Sequence, residues 1–391
     1  MKEPQHPKLN LHIYQTPFKF ESRMLKETKS LADAGFFDQI DIAAIWQPGL
    51  AEHEAVDEKR KVWRIKVHIP PSDHLLPRAL HLLEWQWHIF SAYRHGVSVV
   101  NCHSLAVLPL GWLLKKVTGA KLVYDTHELQ TETTFMTGLR RPLAKTLERL
   151  LIHACDLVMT VNDSIRDWYR TAYDLHNVYT ARNIPYRQDA PKIQSTPNIK
   201  NLREVLGLPE DAFLFLHLGY LLPARGIELM LEAFAHADPH RHLLFIGEGE
   251  LGPLVQSYAQ KHANIHVLPL VKPTEVQHYS AQADVGLVLT IPNSLNYYFI
   301  LPNKLYEYVL TGVPVIASDL PEIRRVVDEG HCGWLVAADC NDMVALINSL
   351  TREDIRAKHE GALAYSQKVG WQDEERTMLL GYRECGVVPI T

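Results

Sequence analysis

The stretch FLFLHLGYLLPARG, residues 213–226, decides the fold of this chain. The apolar run Phe213–Leu218 predicts a buried strand, and Gly219 opens a turn that leads through Gly226 into a helical pattern. A strand, a glycine turn and a helix in that order form the first half of a strand–helix–strand unit with parallel strands. We therefore predict an α/β protein.

The same alternation of short apolar runs and longer amphipathic stretches extends over the rest of the chain, which is typical of parallel strands joined by crossover helices. In the first half, the predicted strands are Leu11–Tyr14, Ile40–Ile45, Val62–Ile69, Val97–Cys102, Lys121–Tyr124, Leu157–Val161 and Val178–Ala181, and the predicted helices are Glu21–Ala34, Leu76–His95 and Leu143–Ala154. In the second half, the predicted strands are Phe213–Leu218, Leu243–Ile246, Ile265–Leu268, Val285–Leu289, Pro314–Ala317 and Trp334–Val336.

Between the two halves, the polar stretch Asn183–Lys200 contains three prolines and predicts an extended linker. We predict one Rossmann-like, doubly wound domain over residues 1–190 and a second over 198–370. A helix within residues 371–391, from about Trp371 to Arg383, would cross back to the first domain. Two such domains are expected to face each other across a cleft at the carboxyl ends of their strands, where doubly wound folds bind ligands.

Composition excludes several classes of protein. The chain has 391 residues. Its formal charge of −5 argues against a nucleic-acid binder. Its five cysteines are scattered, without a CxxC pair, and its 21 histidines show no zinc-ligand spacing, so we predict no disulfide framework and no metal site. Neither a membrane span nor a signal peptide is apparent, so we expect a soluble protein of the reducing cytoplasm.

Several glycines follow the strands of the second half. Backbone N–H groups at a helix start, with Arg225 beside them, form a site for a pyrophosphate, although a glycine turn with a solvated arginine explains the loop equally well. Gly247 and Gly249 repeat the arrangement after the next strand and would let the backbone approach a ligand. Tyr220 lies in the first of these turns and belongs to the same predicted donor site.

The stretch 301–316, LPNKLYEYVLTGVPVI, combines a loop, a helix and a buried strand. Pro302 and Asn303 start the helix, and Lys304 and Glu307 lie three residues apart on one face. A carboxylate at that position can accept two hydrogen bonds from a ribose diol. The alternative is an ordinary surface pair of opposite charges.

In the first half, ionisable residues cluster where two predicted strands end. His127 and Glu128 follow one strand together with Asp125, and His103 follows the preceding strand. Because these strand ends face the predicted cleft, His127 could donate to a sugar hydroxyl while a neighbouring carboxylate orients its ring. A structural histidine is the competing interpretation.

Taken together, these motifs resemble the retaining glycosyltransferases of family 4, which have the two-domain GT-B fold, and the resemblance covers nearly the whole chain. It is carried by residues 21–35 (first helix and turn), 124–128 (strand end), 182–185 (before the hinge), 219–226 (phosphate loop) and 302–314 (donor helix). The resemblance implies that Glu307 binds the ribose, that Arg225 contacts the diphosphate and that the donor site needs no metal.

Two positions depart from the family pattern. Tyr220 replaces the arginine that many members carry after the glycine of the phosphate loop, and Phe299 replaces the first residue of the family's paired glutamates. Substitute contacts to the transferred sugar are Asn293, Asn296 and Tyr297 on the preceding loop. We also include Phe299 and His103 among the candidate sugar contacts.

We therefore predict a glycosyltransferase that uses a UDP- or GDP-sugar without a cofactor and transfers the sugar, with retention, to a saccharide or lipid-linked acceptor in cell-surface polysaccharide or glycoconjugate synthesis. His127, Glu128 and Arg225 are its predicted catalytic residues. The alternatives are a sugar-nucleotide epimerase and a catalytically impaired, nucleotide-sugar-binding partner subunit. A dehydrogenase is disfavoured because no GxGxxG follows the first strand.

The predicted acceptor side has one further feature, the stretch Leu139–Ala154, which places four basic residues among leucines. Such a helix could rest on the inner face of an anionic membrane as a peripheral contact, or it could be an ordinary solvated helix packed on the sheet. Both interpretations stay open from the sequence alone.

Overall fold

The computed structural model describes residues 8–19, 21–72, 74–187, 201–272 and 274–389. The chain divides into two compact units, one formed by residues 1–183 with 373–391 and the other by residues 184–372. Most of the predicted linker lies outside the described residues, since 188–200 are among those not described. Within the described ranges, no helix is both long and apolar enough to span a membrane.

The first unit is built on an eight-stranded sheet. Its strands are β1 (Leu9–Ile13), β2 (Gln39–Ile45), β3 (His53–Ala55), β4 (Arg60–Ile65), β5 (Val99–Cys102), β6 (Lys121–Thr126), β7 (Leu157–Thr160) and β8 (Val178–Thr180). They are ordered β3-β4-β2-β1-β5-β6-β7-β8, and every pair is parallel except β3 with β4. Strand order therefore reverses between β1 and β5, which is where a doubly wound sheet opens a crevice at the strand ends.

The helices of the first unit are α1 (Ser22–Asp33), α2 (Leu75–Tyr93), α3 (Leu108–Thr118), α4 (Arg140–Ile152) and α5 (Asp163–Tyr173). The last helix of the chain, α15 (Trp371–Glu384), also belongs to this unit except for its first two residues, which belong to the second unit. Each α/β crossover buries one stripe of its helix against the sheet. Asn162 caps α5 by accepting a hydrogen bond from the backbone N–H of Ile165, which satisfies one of the unpaired donors at the helix start. Helix α15 begins where the sequence predicted it.

A six-stranded parallel sheet forms the second unit. Its strands are β9 (Phe213–Leu218), β10 (Arg241–Ile246), β11 (Ile265–Leu268), β12 (Val285–Val288), β13 (Val315–Ser318) and β14 (Gly333–Val336). Their order, β11-β10-β9-β12-β13-β14, is the strand order 3-2-1-4-5-6 of a Rossmann fold, with its reversal between β9 and β12. The prediction of two α/β domains with Rossmann-like parallel sheets is confirmed.

The helices of the second unit are α6 (Leu202–Leu206), α7 (Ile227–His236), α8 (Gly252–Ala259), α9 (Val276–Ser280), α10 (Leu295–Tyr298), α11 (Asn303–Val309), α12 (Pro321–Gly330), α13 (Cys340–Ser349) and α14 (Arg352–Ser366). They cover both faces of the sheet, and the side chains of successive β9 residues pack into the hydrophobic cores on opposite faces. Leu214, Leu216 and Leu218 pack on the side of α11, whereas Phe215 packs on the side of α7. Burial on both faces explains the continuous apolar run that predicted this strand.

One predicted boundary differs clearly from the structure, and one strand was not predicted. The strand predicted over Val62–Ile69 ends at Ile65. The short strand β3 was missed because its three residues are all exposed on the sheet edge, so no apolar alternation marks them.

Candidate functional site

In the first unit, three ionisable side chains meet at the ends of β5 and β6. The Nδ1 atom of His103 lies 3.0 Å from Oδ2 of Asp125, and Nε2 of His127 lies 3.2 Å from the same oxygen. The two imidazoles also approach each other, with 3.0 Å between His103 Nδ1 and His127 Nε2. The predicted cluster therefore exists, with Asp125 as the carboxylate that orients both rings.

A chain of buried hydrogen bonds continues from His103 into the sheet. His12 Nδ1 lies 2.8 Å from His103 Nε2, and the amide of Asn10 lies 3.1 Å from His12 Nε2. Asn101 then donates to Asn10, and the hydroxyl of Tyr382 on α15 donates to Asn101, both at 2.5 Å. Since an amide N–H needs an acceptor, His12 accepts at Nε2 and carries its proton at Nδ1, which makes His103 a donor to Asp125.

The other side of Asp125 is occupied by Arg23, from α1. Its guanidinium contacts both carboxylate oxygens, with Nη2 to Oδ1 at 2.6 Å and Nε to Oδ2 at 3.2 Å, and it also donates to the backbone oxygen of Ala181. Glu27, one turn further along α1, lies 2.8 Å from Arg23. A two-point contact of this kind fixes the carboxylate more firmly than a single bond does.

Burial and charge together set the protonation of this cluster. Although burial opposes ionisation, Arg23 and His127 hold the pKa of Asp125 well below its usual range. Burial lowers the pKa of His103 to about 4 and raises that of Glu27 well above its usual value. The centre is therefore an ionised Asp125 held by a cation and a neutral His103.

The candidate residues of this cluster differ in how far they reach the surface. His103 is 1% exposed, and both of its ring nitrogens take part in the contacts above, whereas the side chain of His127 is 19% exposed. Glu128 is exposed, and the ring of Tyr14 lies 5.0 Å from that of His127. His127 is therefore the imidazole of the pair with its own access to a ligand, while the predicted sugar contact of His103 stays a prediction.

Two groups of described residues bring three potential metal ligands together. One is His103, Asp125 and His127, whose ligand atoms lie within 4.8 Å of one another but already form hydrogen bonds and an ion pair. The other is His68, Glu84 and His88 near the surface, where Glu84 accepts from the backbone of His68 at 2.8 Å. The prediction that the chain has no metal site stays a prediction.

In the second unit, the phosphate loop is the turn of residues 219–226 between β9 and α7. Gly219 has φ of 129°, and the space where Gly247 would carry a Cβ lies 1.9 Å from the Gly219 carbonyl oxygen. A Cβ on Gly249 would lie 2.6 Å from the carbonyl oxygen of Leu221. Both later glycines are thus needed for the phosphate loop to pack on the following turn, and their predicted role in donor binding stays a prediction.

Arg225 is the next-to-last residue of the phosphate loop and contacts the segment that follows β12. Its guanidinium lies 5.5 Å from the centre of the Tyr297 ring, which suits a cation–π contact. The backbone N–H of Ile291 donates to the carbonyl of Ala224 at 2.9 Å, and Ala224 has a φ of 62°, which is uncommon for a residue other than glycine. The loop that carries Arg225 is therefore tied to the segment that carries Tyr297.

Lys304 brings a second cation to the same loop. Its Nζ lies 3.7 Å from the position of a Cβ on Gly219 and 3.4 Å from Nε2 of His217. Tyr308, one turn later on α11, donates to the backbone oxygen of Leu216 at 2.7 Å, which fixes the helix against β9. The structure thus brings the predicted donor residues Gly219, Arg225 and Lys304 together in one unit.

The remaining donor and sugar candidates surround this group. Glu307 is half-buried on α11 one turn after the exposed Asn303, and Tyr220 is 60% exposed in the phosphate loop. The predicted sugar contacts lie on or beside the short helix α10, which Ser294 caps: these are the exposed Asn293 and the half-buried Asn296, Tyr297 and Phe299.

Sequence reasoning assigned no role to His12, His217, Asn10 or Tyr382, and it gave Arg23 none beyond its helix. A signal was present at three of them, because Asn10, His12 and His217 are polar residues inside otherwise apolar strands. Buried polar side chains are normally hydrogen-bonded, so each implied a partner elsewhere in the chain. The partners themselves lie far away in the sequence and could not be identified.

Two family models match the chain, one for each unit. The model described as "Glycosyl transferase 4-like domain" matches residues 22–180, and the model described as "Glycosyl transferases group 1" matches residues 212–353.

Curated relatives with known names are also similar to this chain. The phosphatidyl-myo-inositol mannosyltransferase of Mycobacterium tuberculosis is 25% identical over 282 residues, which cover 68% of each protein. The D-inositol 3-phosphate glycosyltransferase 2 of Catenulispora acidiphila is 24% identical over 299 residues, or 70% of this chain and 67% of the relative.

Among solved structures, sucrose-phosphate synthase of Thermosynechococcus elongatus is similar with a TM-score of 0.76 and 18% identity, covering 96% of this chain and 98% of that one. HepE of Anabaena in complex with UDP-glucose gives a TM-score of 0.70 at 15% identity, covering 96% and 99%. At these identities, the similarity shows the fold. Together with the two family models, it shows that the chain is a glycosyltransferase of family 4 with the GT-B fold.

Proposed function

We propose that this glycosyltransferase takes its sugar from a UDP- or GDP-sugar that binds at the phosphate loop of the second unit. The observation that carries the proposal is that Lys304 lies beside Gly219, while Arg225, on the same loop, is close enough to Lys304 for its charge to lower the lysine's pKa. Two cations beside backbone amides suit a diphosphate, and they supply the charge for which other enzymes use a metal. Structures similar to this chain were solved with UDP, UDP-glucose and UDP-2-fluoro glucose.

In this proposal, the half-buried Glu307 accepts hydrogen bonds from the ribose diol, while Arg225 and Lys304 hold the diphosphate. As the bond between the anomeric carbon and the diphosphate oxygen breaks, negative charge grows on that oxygen. Fixed cations stabilise this charge more in the transition state than in the bound donor, which is what lowers the barrier. Tyr297, stacked on Arg225, would keep the guanidinium in place.

The acceptor hydroxyl oxygen forms the new bond to the anomeric carbon, and its proton leaves with the diphosphate. We propose that this occurs with retention of configuration, as the family resemblance implies. His127 would contact the transferred sugar, since it is the partly exposed imidazole held by Asp125, and Glu128 would assist it. Gly247 and Gly249 would shape the donor site by letting the two turns pack closely.

For the acceptor, we propose a saccharide or a lipid-linked molecule used in cell-surface polysaccharide or glycoconjugate synthesis. Support comes from relatives whose names specify phosphatidyl-myo-inositol and inositol 3-phosphate. A lipid-linked acceptor would also explain the exposed apolar surface that helices α2, α3 and α4 form on the first unit.

That surface, the three-helix face, consists of α2, α3 and α4, which pack side by side in that order. Large apolar side chains are exposed along it: Leu76, Leu80, Leu83, Trp87, Leu113, Val117, Leu143 and Leu150, with Phe135 and Leu139 just before α4. The three helices contain seven lysines and arginines and two glutamates, although the whole chain has a formal charge of −5. Apolar side chains among cations suit an anionic bilayer, so we propose a peripheral membrane contact here.

Vesicle binding tests the membrane contact directly. We expect the protein to sediment with phosphatidylglycerol vesicles and far less with phosphatidylcholine vesicles, and Leu143→Glu to reduce sedimentation severalfold. Leu380→Glu is the matched control, because Leu380 is also exposed but lies on α15. Equal binding to both lipids, or equal loss in both variants, would contradict the contact.

The donor is tested by titrating a panel of nucleotide sugars and measuring sugar transfer, donor hydrolysis and epimerisation for each. We expect a UDP- or GDP-sugar to bind and to release its nucleotide only when an acceptor is present. Release without any new glycosidic bond would instead point to a donor hydrolase, and epimerised donor would restore the epimerase alternative. Binding without any turnover would indicate the impaired partner subunit.

A further inference from the structure

The strand β9 and the helix α11 are held in one register beneath the phosphate loop. The hydroxyl of Tyr308 donates to the carbonyl of Leu216 and accepts from the N–H of Leu218 at 3.1 Å, and so it bonds to both neighbours of His217. Gly286 on β12 makes room for this tyrosine, since a Cβ there would lie 2.5 Å from its ring. Lys304 precedes Tyr308 by one turn on the same face of α11, so the contact of Tyr308 with β9 also places Lys304 next to His217.

His217 is a buried imidazole that the proposed donor chemistry has not used. It is fully buried, and its Nε2 lies 3.4 Å from the Nζ of Lys304. Burial, and then the nearby Lys304 and Arg225, lower the pKa of His217 well below its usual value, so it is neutral. In the tautomer that carries its proton on Nδ1, the neutral imidazole offers Lys304 the lone pair of Nε2 as hydrogen-bond acceptor.

The groups that face Lys304 come from three elements. His217 lies on β9, Arg225 repels the ammonium from the phosphate loop, and Glu307 attracts it from α11. Arg225 and Lys304 therefore lie near each other in a partly buried site. A lysine in such surroundings readily gives up its proton, whereas an arginine does not.

We propose that Lys304 takes up a proton when the donor diphosphate binds, and that His217 is the acceptor that holds the resulting ammonium under the phosphate loop. The inference rests on the proposed donor site and goes further by naming a new residue and the change of charge on binding. Lys304 would supply the second cation of the site, because Tyr220 stands where many family members carry an arginine.

The charge balance explains the direction of the effect. Burial and the charge of Arg225 lower the pKa of Lys304 to about 7, with Glu307 opposing the shift. A bound diphosphate favours the charged form and raises this pKa, so binding draws a proton from solution at pH above 7. With a pKa of about 7, the lysine of the free protein is about nine-tenths neutral at pH 8 and about one-tenth at pH 6.

Calorimetry with UDP and with GDP measures this proton. At pH 8, titrations in two buffers of different ionisation enthalpy are expected to give an uptake of about 0.9 proton per nucleotide, falling to about 0.1 from Lys304 at pH 6. Between pH 7 and pH 8, the dissociation constant is expected to rise about fivefold, because the protein must then recruit its proton from a scarcer supply.

Lys304→Arg is the matched variant, since its side chain stays charged throughout this range. We expect it to bind without the proton uptake at pH 8 and with an affinity that hardly changes from pH 7 to 8. His217→Leu removes the acceptor and is expected to weaken binding severalfold at pH 8, whereas His217→Gln keeps an acceptor oxygen and is expected to recover most of the affinity. Circular dichroism would confirm that each variant folds.

The outcomes separate this inference from the donor proposal. If neither nucleotide binds the unaltered protein at any pH, the donor site itself is wrong. If a nucleotide binds at pH 8 without proton uptake, or if Lys304→Arg takes up the same proton, the donor site stands and the inference is overturned. Equal affinities of His217→Leu and His217→Gln would overturn the role of His217.

Discussion

Replacing Arg23 by methionine is the most direct test of the cluster at the ends of β5 and β6. The guanidinium is 5% exposed and contacts both oxygens of Asp125, whose side chain is 4% exposed. Arg23→Met would leave this carboxylate buried without its cationic partner. Breaking a buried ion pair on one side typically costs about 3–5 kcal/mol.

Scanning fluorimetry or calorimetry is expected to show this cost as a lower Tm for the first unit. For a unit of this size, about 2–4 °C per kcal/mol converts the loss into a fall of about 10 °C. Lys29→Met is the matched control on the same helix, because Lys29 and Asp33 form an exposed pair, which is expected to contribute less than about 1 kcal/mol.

The loss should also depend on pH in a defined direction. In the folded protein, Asp125 has its pKa held well below the usual value, so its contribution to stability is present above the unfolded pKa and is lost as pH falls through the folded one. Arg23→Met removes most of this contribution. The difference in Tm between the two proteins is therefore expected to stay constant from about pH 8 down to about pH 5 and to shrink as the pH falls below about 4.

A double variant decides whether the unpaired charge is the cause. Arg23→Met with Asp125→Asn has no buried carboxylate at this position, so it should be more stable than Arg23→Met alone. If the double variant is instead less stable by the full sum of the two single losses, or if Lys29→Met costs as much as Arg23→Met, the reasoning is refuted.

Four further outcomes concern the site itself. Arg225→Ala should weaken binding of nucleoside diphosphate far more than that of the free nucleoside by calorimetry, and a uniform loss would indicate misfolding. Glu307→Ala should lower affinity for the nucleoside portion by about 1.5–3 kcal/mol per lost charge-assisted bond, and an unchanged affinity in a folded variant would remove the ribose assignment. His127→Ala should reduce turnover much more than nucleotide affinity, and wild-type turnover would direct attention to His103. Activity should survive exhaustive EDTA, whereas loss of turnover restored by magnesium or manganese would count against the proposed charge balance.

Much of the second unit was predictable because its chemistry is local in the sequence. Gly219 and Arg225 lie six positions apart in one strand–turn–helix segment, and Lys304 and Glu307 lie within one turn of a helix. Spacing on a helix or after a strand fixes such neighbours before any tertiary contact forms. The likeness to glycosyltransferases was visible for the same reason.

The cluster of the first unit was only half visible. His127 and Asp125 adjoin one strand end and could be paired from the sequence, but the partner of Asp125 on α1 lies 102 residues earlier. His12 and His103 are 91 residues apart, and Tyr382 lies 281 residues from Asn101. No periodicity connects such positions, because strand order in a doubly wound sheet does not follow chain order.

The sequence by itself determined the two α/β domains, most of the strands, some of the helices, and the residue types gathered at the strand ends, since apolar periodicity and glycine turns are properties of adjacent residues. Only the tertiary structure decided which of these residues touch. It placed Lys304 beside His217, set Arg23 on Asp125 and gave Gly247 and Gly249 a packing role. The physical reason is that burial and pairing depend on the register between elements distant in the chain, and that register is fixed by the packing of the whole core.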